Sequence, residues 1–266
     1  MSAELGFIGN GNMGYAILKG LIDQNVLKPS ETAVYDPSKN ASERASHLGV
    51  VIYDSEKELV KNSNVILAAI KPQNASRVFA EIGEELKGKL LLSIVAGYDV
   101  LTIREHLEQE DVRILRIMPN TPALVGEGVF GLDLGTDAVE EEKEKVDAWL
   151  SSLGSVFWLE EKLFPVLTGL SGGGPAYAAL FVEALADGGV KYGLKRDDAL
   201  QIAAQTVLGS AKLILEEKEH PAQLKDNVCS PGGTTIEGVQ ALEDGAFRAT
   251  VIRAVEKSTR KAENLS

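Results

Sequence analysis

The stretch Leu5-Gly6-Phe7-Ile8-Gly9-Asn10-Gly11-Asn12-Met13-Gly14 decides the fold. Residues 5–8 read as a short buried strand, and a helical pattern follows from Tyr15. Between them Gly9, Gly11 and Gly14 stand in G-x-G-x-x-G spacing, where each glycine has its own physical task. The first permits a tight turn, the second lets backbone approach a pyrophosphate, and the third lets the helix lie close to the strand. The helix N-terminus adds unpaired N–H groups and partial positive charge. Asp36 ends the next strand 22 residues after Gly14, the place of an acid that accepts from a ribose hydroxyl. A plain strand–helix turn has little need of three glycines so spaced, and the segment predicts a dinucleotide site.

Outward from that turn, strand and helix patterns alternate through residue 160. Segments 33–35, 50–52, 65–70, 90–95 and 112–117 read as strands. The continuous apolar run at 65–70 is that of a central parallel strand. Segments 129–134 and 156–159 read as further edge strands, with a charged helix over 137–153 between them. The pattern predicts an α/β, Rossmann-type, doubly wound parallel sheet with right-handed crossovers. Ligands in such sheets bind at the carboxyl ends of strands. Four irregular segments are therefore expected to converge there: 9–14, 69–72, 96–97 and 118–122. Lys71, at the end of a strand, fits a contact with ribose or phosphate better than a strand end left in solvent.

Beyond residue 160 no convincing strand occurs. The expected layout is a dinucleotide-binding domain over 1–160 and an all-α domain over 161–266. A long helix spans about 163–188, with Gly172-Gly173-Gly174-Pro175 near its start. Proline removes a backbone hydrogen bond, so that helix is kinked, broken or preceded there by a separate turn. A second helix, 197–216, has apolar residues over much of its circumference. About 100 residues of helix cannot easily wrap such surfaces alone, and a dimer built by this domain is the natural solution. Burial against the first domain is the alternative. Shorter helices follow at 222–226 and from the 230–235 loop to 242, and a last one covers 246–264.

That loop, Ser230-Pro231-Gly232-Gly233-Thr234-Thr235, is the second site-like feature. Its proline and glycines precede a helix whose first turn holds Thr234 and Thr235. A hydroxyl there can be a simple N-cap, or the turn can aim several N–H groups at an anion. The domain layout favours the anion: a cofactor domain needs a substrate wall, and a helix N-terminus suits a small carboxylate. Cys229 adjoins the loop but has no histidine obviously paired to it as a nucleophile would. Glu183, on an apolar helix, reads as paired at an interface or facing a cavity rather than as a proton donor.

Bulk properties narrow the classes. The 266 residues carry a net charge of −12, with −10 of it on 1–160. Such acidity argues against nucleic acid or an anionic membrane as partner. Cys229 is the only cysteine, and His47, His106 and His220 lie far apart, so neither a disulfide nor a metal site is expected. No apolar run reaches the ~18 residues that span a bilayer. No signal peptide or lipidation motif opens the chain, and a reducing cytoplasm is the expected location.

Several motifs carry a family resemblance. They are Gly6-Phe7-Ile8-Gly9-x-Gly11-Asn12-Met13, Ala69-Ile70-Lys71-Pro72 and Met118-Pro119-Asn120-Thr121-Pro122, then Thr168-Gly169-Leu170-Ser171-Gly172-x-Gly174-Pro175-Ala176-Tyr177 and Glu183-Ala184-Leu185-Ala186-Asp187-Gly188-Gly189. The last, His220-Pro221-x-Gln223-Leu224-Lys225-Asp226-x-Val228-x-Ser230-Pro231-Gly232-Gly233-x-Thr235-Ile236, is the most specific. With them the chain resembles the pyrroline-5-carboxylate reductases. The resemblance implies hydride transfer from NADPH or NADH to C5 of 1-pyrroline-5-carboxylate, giving L-proline in the closing step of its biosynthesis. It implies a helical C-terminal domain that dimerises by interleaving, with dimers often assembled into larger rings.

Carried over by position, the resemblance seats the substrate carboxylate on Val228, Ser230, Gly232, Gly233, Thr234 and Thr235, largely through backbone N–H groups. The Thr235 hydroxyl then serves the ring nitrogen as the catalytic group. The cofactor contacts it implies are Gly9, Asn10, Gly11, Asn12, Met13, Asp36 and Ser38, with Ala69, Ile70, Lys71, Pro72, Ala96, Gly97 and Asn120 toward the nicotinamide end. The chain has Gly173 where the family often has serine. A protonated imine is already electrophilic, so alignment supplies much of the rate and no metal or triad is required.

The choice of cofactor stays open in the sequence. Asp36, with Glu56 nearby, favours NADH and repels a 2′-phosphate, whereas Ser38 and Lys39 suit a phosphate and the family commonly uses NADPH. Both cofactors are expected to work, NADH better than in relatives lacking such an acid. A β-hydroxyacid dehydrogenase shares the glycine motif, but it places a catalytic lysine on the interdomain helix, and 163–188 has none. A non-catalytic nucleotide sensor has no use for a carboxylate-holding loop at 230–235.

Overall fold

The glycine turn lies between β1 (Ala3–Ile8) and α1 (Asn12–Asp23). There follow β2 (Thr32–Tyr35), α2 (Lys39–Ser46), β3 (Val51–Ile52), α3 (Glu56–Lys61), β4 (Ser63–Ala68), α4 (Pro72–Ile82), β5 (Leu90–Ser93), α5 (Val100–Leu107), β6 (Arg113–Pro119), β7 (Gly128–Asp133), α6 (Glu140–Ser151) and β8 (Gly154–Leu159). The computed structural model describes residues 2–264. Positions 1, 265 and 266, the outer ends of the two expected domains, lie outside the described residues.

The eight strands form one sheet in the order β3-β2-β1-β4-β5-β6-β7-β8, reversing direction of growth at β1 as a doubly wound sheet does. From β3 to β6 every pair is parallel. Between β6 and β7 the pairing is antiparallel, and β8 runs parallel to β7. The expected parallel, doubly wound sheet is thus found, with one antiparallel pairing, β6 with β7, near its far edge. The reason is connection length: only residues 120–127 join β6 to β7, too few for a parallel crossover, which takes a dozen or more. From β7 to β8 the chain passes through α6, long enough to cross over. Nor is β7 an edge strand, since it lies between β6 and β8.

Both faces of the sheet are covered, which is why the central strands are apolar at successive positions. Leu5, Phe7, Val65, Leu67, Leu90 and Leu92 point to one face, where Ile17, Leu21, Val146 and Leu150 of α1 and α6 bury them. Ile8, Ile66, Ala68 and Leu91 point to the other, against Leu59, Val78, Phe79 and Ile103 of α3, α4 and α5. Phe7 and Phe79 are completely buried. Burying side chains of that size gives about 1.5–3 kcal/mol each before entropy is counted.

The C-terminal part is helical. A short helix α7 (Phe164–Leu167) runs through a wider π-type turn, Thr168–Gly172, before α8 (Gly174–Lys191) begins. Of the three outcomes open for the Gly-Pro segment, a separate preceding turn is the one adopted. Pro175 then sits in the first turn of α8, where its missing N–H costs no helical hydrogen bond. After it come α9 (Arg196–Glu216), α10 (Pro221–Val228), α11 (Thr234–Asp244) and α12 (Phe247–Glu263).

The chain divides into two compact units, one of residues up to Gly172 with those from Ser258 on, the other of Gly173–Lys257. The second unit has almost no core of its own. Its buried hydrophobic residues are Ala186, Ala199 and Ala203, all small. Leu180, Ile202, Leu213, Leu215 and Ile252 are 67, 54, 47, 74 and 67% exposed. A helical unit with its large apolar side chains outward needs a second surface to cover them.

Candidate active site

The carboxyl ends of β1, β2 and β4 open onto a cleft of about 570 Å³, within the ordinary range for small-molecule sites. Gly9, Asn10 and Gly11 form one wall, Asp36 and Ser38 a second, and Ala69, Ile70 and Lys71 a third. Among the candidate cofactor residues, Asn12, Met13, Pro72, Ala96, Gly97 and Asn120 are not on its walls. The first two begin α1, with Met13 packed on the core, and Pro72 begins α4.

The three glycines differ physically as their spacing requires. Gly9 has φ of +91°, and a Cβ on it would sit 2.5 Å from the Ala69 carbonyl oxygen. A Cβ on Gly14 would sit 2.6 Å from the Gly9 carbonyl oxygen, so the helix lies hard against the turn. Around a Cβ on Gly11 there is nothing within 4 Å. Gly11 is also the N-cap of α1, with no side-chain cap. An open backbone position in front of an uncapped helix N-terminus is what a pyrophosphate needs, and these residues fit a dinucleotide.

Asp36 has a task the sequence did not reveal. One carboxylate oxygen accepts from the Asn10 N–H at 2.6 Å and the other from the Ser38 N–H at 2.8 Å. It ties the glycine turn to the start of α2. Asn10, fully buried, adds a second tie by donating its side-chain amide to the Ala41 carbonyl at 2.8 Å. Arg44 completes the clamp, donating from Nη2 to the carbonyls of Asn10 and Gly11 while its guanidinium lies 4.0 Å from the Tyr15 ring centroid.

Asn40 and Arg44 on α2, and Asn74 and Arg77 on α4, line the cleft although sequence reading passed over them. The available signal was helical: polar side chains at i, i+4 or i, i+3 in a helix that starts at a strand's carboxyl end. Glu56 also lines the cleft, as does Tyr35, whose hydroxyl is pushed to a higher pKa by burial and by the Glu56 carboxylate. Lys39 lies on an adjoining depression and not on the cleft itself.

Ala96 and Gly97 open onto a second pocket of about 350 Å³, at the ends of β5 and β6, together with Met118, Arg116 and Asp99. Arg116 donates to Glu161 at 2.9 Å, and the same carboxylate oxygen accepts from the Val100 N–H at 3.0 Å. Asp99 caps α5 by accepting from the Thr102 N–H at 2.7 Å; Thr102 holds its carboxyl below the usual range. The four irregular segments thus all reach strand ends but are shared between two pockets.

Asn120 is buried, and both the oxygen and the nitrogen of its amide are hydrogen-bonded. Its oxygen accepts from the Val129 N–H at 2.8 Å, and its nitrogen donates to the Ser171 carbonyl at 3.0 Å. It closes the β6–β7 connection. Asn120→Ala leaves both backbone partners unsatisfied, at about 1–3 kcal/mol each. Thermal unfolding is expected to begin several degrees lower in that variant, and an unchanged midpoint would contradict the clamp.

In the second unit the 230–235 loop is built as its residues dictate. Ser230 C=O accepts from the Gly233 N–H at 3.0 Å, with Pro231 and Gly232 between them and Gly232 at φ +66°. This is a type II turn, which calls for proline first and glycine second. A Cβ on Gly233 would lie 2.3 Å from the Ser230 hydroxyl. Gly233, and neither threonine, is the N-cap of α11, again with no side-chain cap. Thr234 and Thr235 are the first two helical residues, both exposed, as is Val228 at the end of α10. Glu183 on α8 is exposed too, and Cys229 is a free, half-buried thiol. Among the described residues no group of three or more His, Cys, Asp or Glu is placed to hold a metal ion, and no helix is long and apolar enough to cross a membrane.

Comparison with known proteins agrees with this arrangement. Residues 161–265 match the family model "Pyrroline-5-carboxylate reductase dimerisation", and residues 4–97 match "NADP oxidoreductase coenzyme F420-dependent". The pyrroline-5-carboxylate reductase of Arabidopsis thaliana is 42% identical over 268 residues, covering all of this chain and 96% of the relative. That of Escherichia coli is 41% identical over 268 residues, covering 100% and 99%. A crystal structure of Plasmodium falciparum pyrroline carboxylate reductase with NADP bound superposes with a TM-score of 0.89 at 35% identity, covering 99% of this chain and 98% of that one. From the glycine turn through the C-terminal helices, the chain belongs to the pyrroline-5-carboxylate reductase family.

Proposed function

We propose that this chain reduces 1-pyrroline-5-carboxylate to L-proline, the closing step of proline biosynthesis, with a reduced nicotinamide dinucleotide as hydride source. The observation that carries this reading is similarity of 41–42% identity over the whole chain to enzymes of that name. The cofactor, NADPH or NADH, supplies the hydride when bound.

The chain's own residues bind and orient. The turn at Gly9, Asn10 and Gly11, the first helical residues Asn12 and Met13, and the walls at Asp36, Ser38, Ala69, Ile70 and Lys71 would hold the dinucleotide, with Pro72 fixing the start of α4. Ala96, Gly97 and Asn120 shape its nicotinamide end, Asn120 by closing the β6–β7 connection. The turn at Ser230, Gly232 and Gly233 presents the uncapped N–H groups of Thr234 and Thr235 to the substrate carboxylate, with Val228 beside it. The Thr235 hydroxyl hydrogen-bonds the ring nitrogen. A cationic imine needs little further activation, so alignment and exclusion of water supply much of the rate.

The chain self-associates through its C-terminal helices, whose exposed Leu180, Ile202 and Leu215 a second copy would cover. Dimers joined in a larger ring belong to this reading, as does a small-molecule partner without nucleic acid or membrane, for which the net charge of −12 speaks. A cytoplasmic location suits NAD(P)H chemistry and a single free thiol. The cofactor domain is 1–160 and the substrate and dimerisation domain 161–266, a division the family match at 161–265 supports. Residues 161–172 group in space with the first compact unit.

Adding 1-pyrroline-5-carboxylate to the protein with either reduced cofactor should consume the cofactor and yield L-proline in equal amount. Silence with both cofactors removes this reading.

A further inference from the structure

We propose that Asp36 and Glu56 together make the dinucleotide cleft selective for NADH over NADPH. The inference rests on the proposed function for the identity of the ligand, and on the geometry of the cleft for the choice between its two forms. The two nucleotides differ only by a 2′-phosphate, a near-dianion with strong acceptor oxygens. What decides between them is the balance of free donors and fixed negative charge on the wall that meets the ribose.

That wall carries two carboxylates. Asp36 is held rigidly by the Asn10 and Ser38 N–H groups. The hydrogen bond to Ser38 also uses a backbone donor that a phosphate would need. Glu56, at the start of α3, lines the same cleft with its side chain only 11% exposed. Of the three cations among the described residues that line the cleft, Lys71 stands at the end of β4, before α4, and the other two are already engaged. Arg77 meets Glu56 at 3.4 Å and Glu81 at 2.8 Å. Arg44 spends Nη2 on two turn carbonyls and lies on the Tyr15 ring. Lys39 faces the adjoining depression. A ribose 2′-hydroxyl finds acceptors here, whereas a 2′-phosphate meets like charge from two directions.

The test is direct titration of the whole protein with NADH and with NADPH, without imine, followed by calorimetry. Wild type is expected to bind NADH at least 10-fold more tightly than NADPH. Glu56→Gln keeps the shape and a hydrogen-bond acceptor for Arg77 but removes the charge. It should strengthen NADPH binding about 10-fold relative to NADH binding. Asp36→Asn is the second variant, and it should also shift the ratio toward NADPH even if both affinities fall. Preference for NADPH in wild type, a ratio unmoved by either variant, or no binding of either nucleotide overturns the proposal. NADH-selective binding without imine turnover upholds it and sinks the functional reading instead. NADPH-preferring turnover does the reverse.

Discussion

Gly9→Ala is expected to cost the protein both its fold stability and its cofactor, whereas Gly11→Ala should cost mainly the cofactor. At Gly9 the backbone has φ of +91° and the new methyl would lie 2.5 Å from the Ala69 carbonyl oxygen. Positive φ costs an L-residue roughly 1–2 kcal/mol, and forcing a methyl against backbone adds about 1–3 kcal/mol. Together these remove a large share of the ~5–15 kcal/mol by which a domain is stable. A fall in melting temperature on the order of 10 °C follows. At Gly11, φ is −65° and no atom lies within 4 Å of the added methyl. The melting temperature should fall by only ~2–4 °C, since the change meets no core atom and replaces the glycine N-cap of α1 by the poorer cap alanine, at about 1 kcal/mol. The methyl stands where a pyrophosphate approaches, and cofactor affinity should fall at least ~10-fold. Equal melting temperatures for the two variants would show that the turn is not held as described.

Thr235→Ala should lower kcat by roughly 10²-fold, the usual loss when one positioned hydroxyl is removed from a transition state. The fold should survive, because Thr235 is exposed and Gly233, not a threonine, caps α11. Cofactor affinity should stay within about 2-fold, since the role proposed for the hydroxyl is toward the substrate ring and not the cofactor. Thr235→Ser, which restores the hydroxyl, should recover most of the rate. Unchanged turnover in the alanine variant removes Thr235 from the mechanism. A loss shared equally by the serine variant assigns the threonine a packing role instead.

These two sites differ in how far the residues alone revealed them. The glycine turn was legible because spacing and chemistry coincide: three glycines with distinct steric tasks, then an acid at the next strand's end. The sheet's layers were legible because Val65 and Leu67 face one helix layer and Ile66 and Ala68 the other. The direction of β7 was readable in principle, from the short 120–127 link, but strand patterns carry no direction by themselves.

Side-chain partners were not legible. Asp36 reads as a ribose ligand; its bond from Ser38 is a local turn two residues on, but the one from Asn10 joins loops 26 residues apart. Asn120 was placed at the nicotinamide end, yet its amide is shared between Val129 and Ser171, the latter 51 residues away. Arg44 gave no local sign of reaching back 33 and 34 residues to the glycine turn. In the 230–235 loop, by contrast, Pro231 and Gly232 prescribe the type II turn found there. The choice between a threonine cap and an uncapped helix end is set by where α11 starts, one residue after Gly233.

The central claim is that this chain moves a hydride from a nicotinamide to C5 of a cyclic imine. The most direct test supplies NADH or NADPH deuterated at the transferable position of C4, together with unlabelled 1-pyrroline-5-carboxylate, and analyses the product by mass spectrometry. The account predicts L-proline carrying one deuterium at C5. Proline without the label, or no proline from either cofactor, would contradict it.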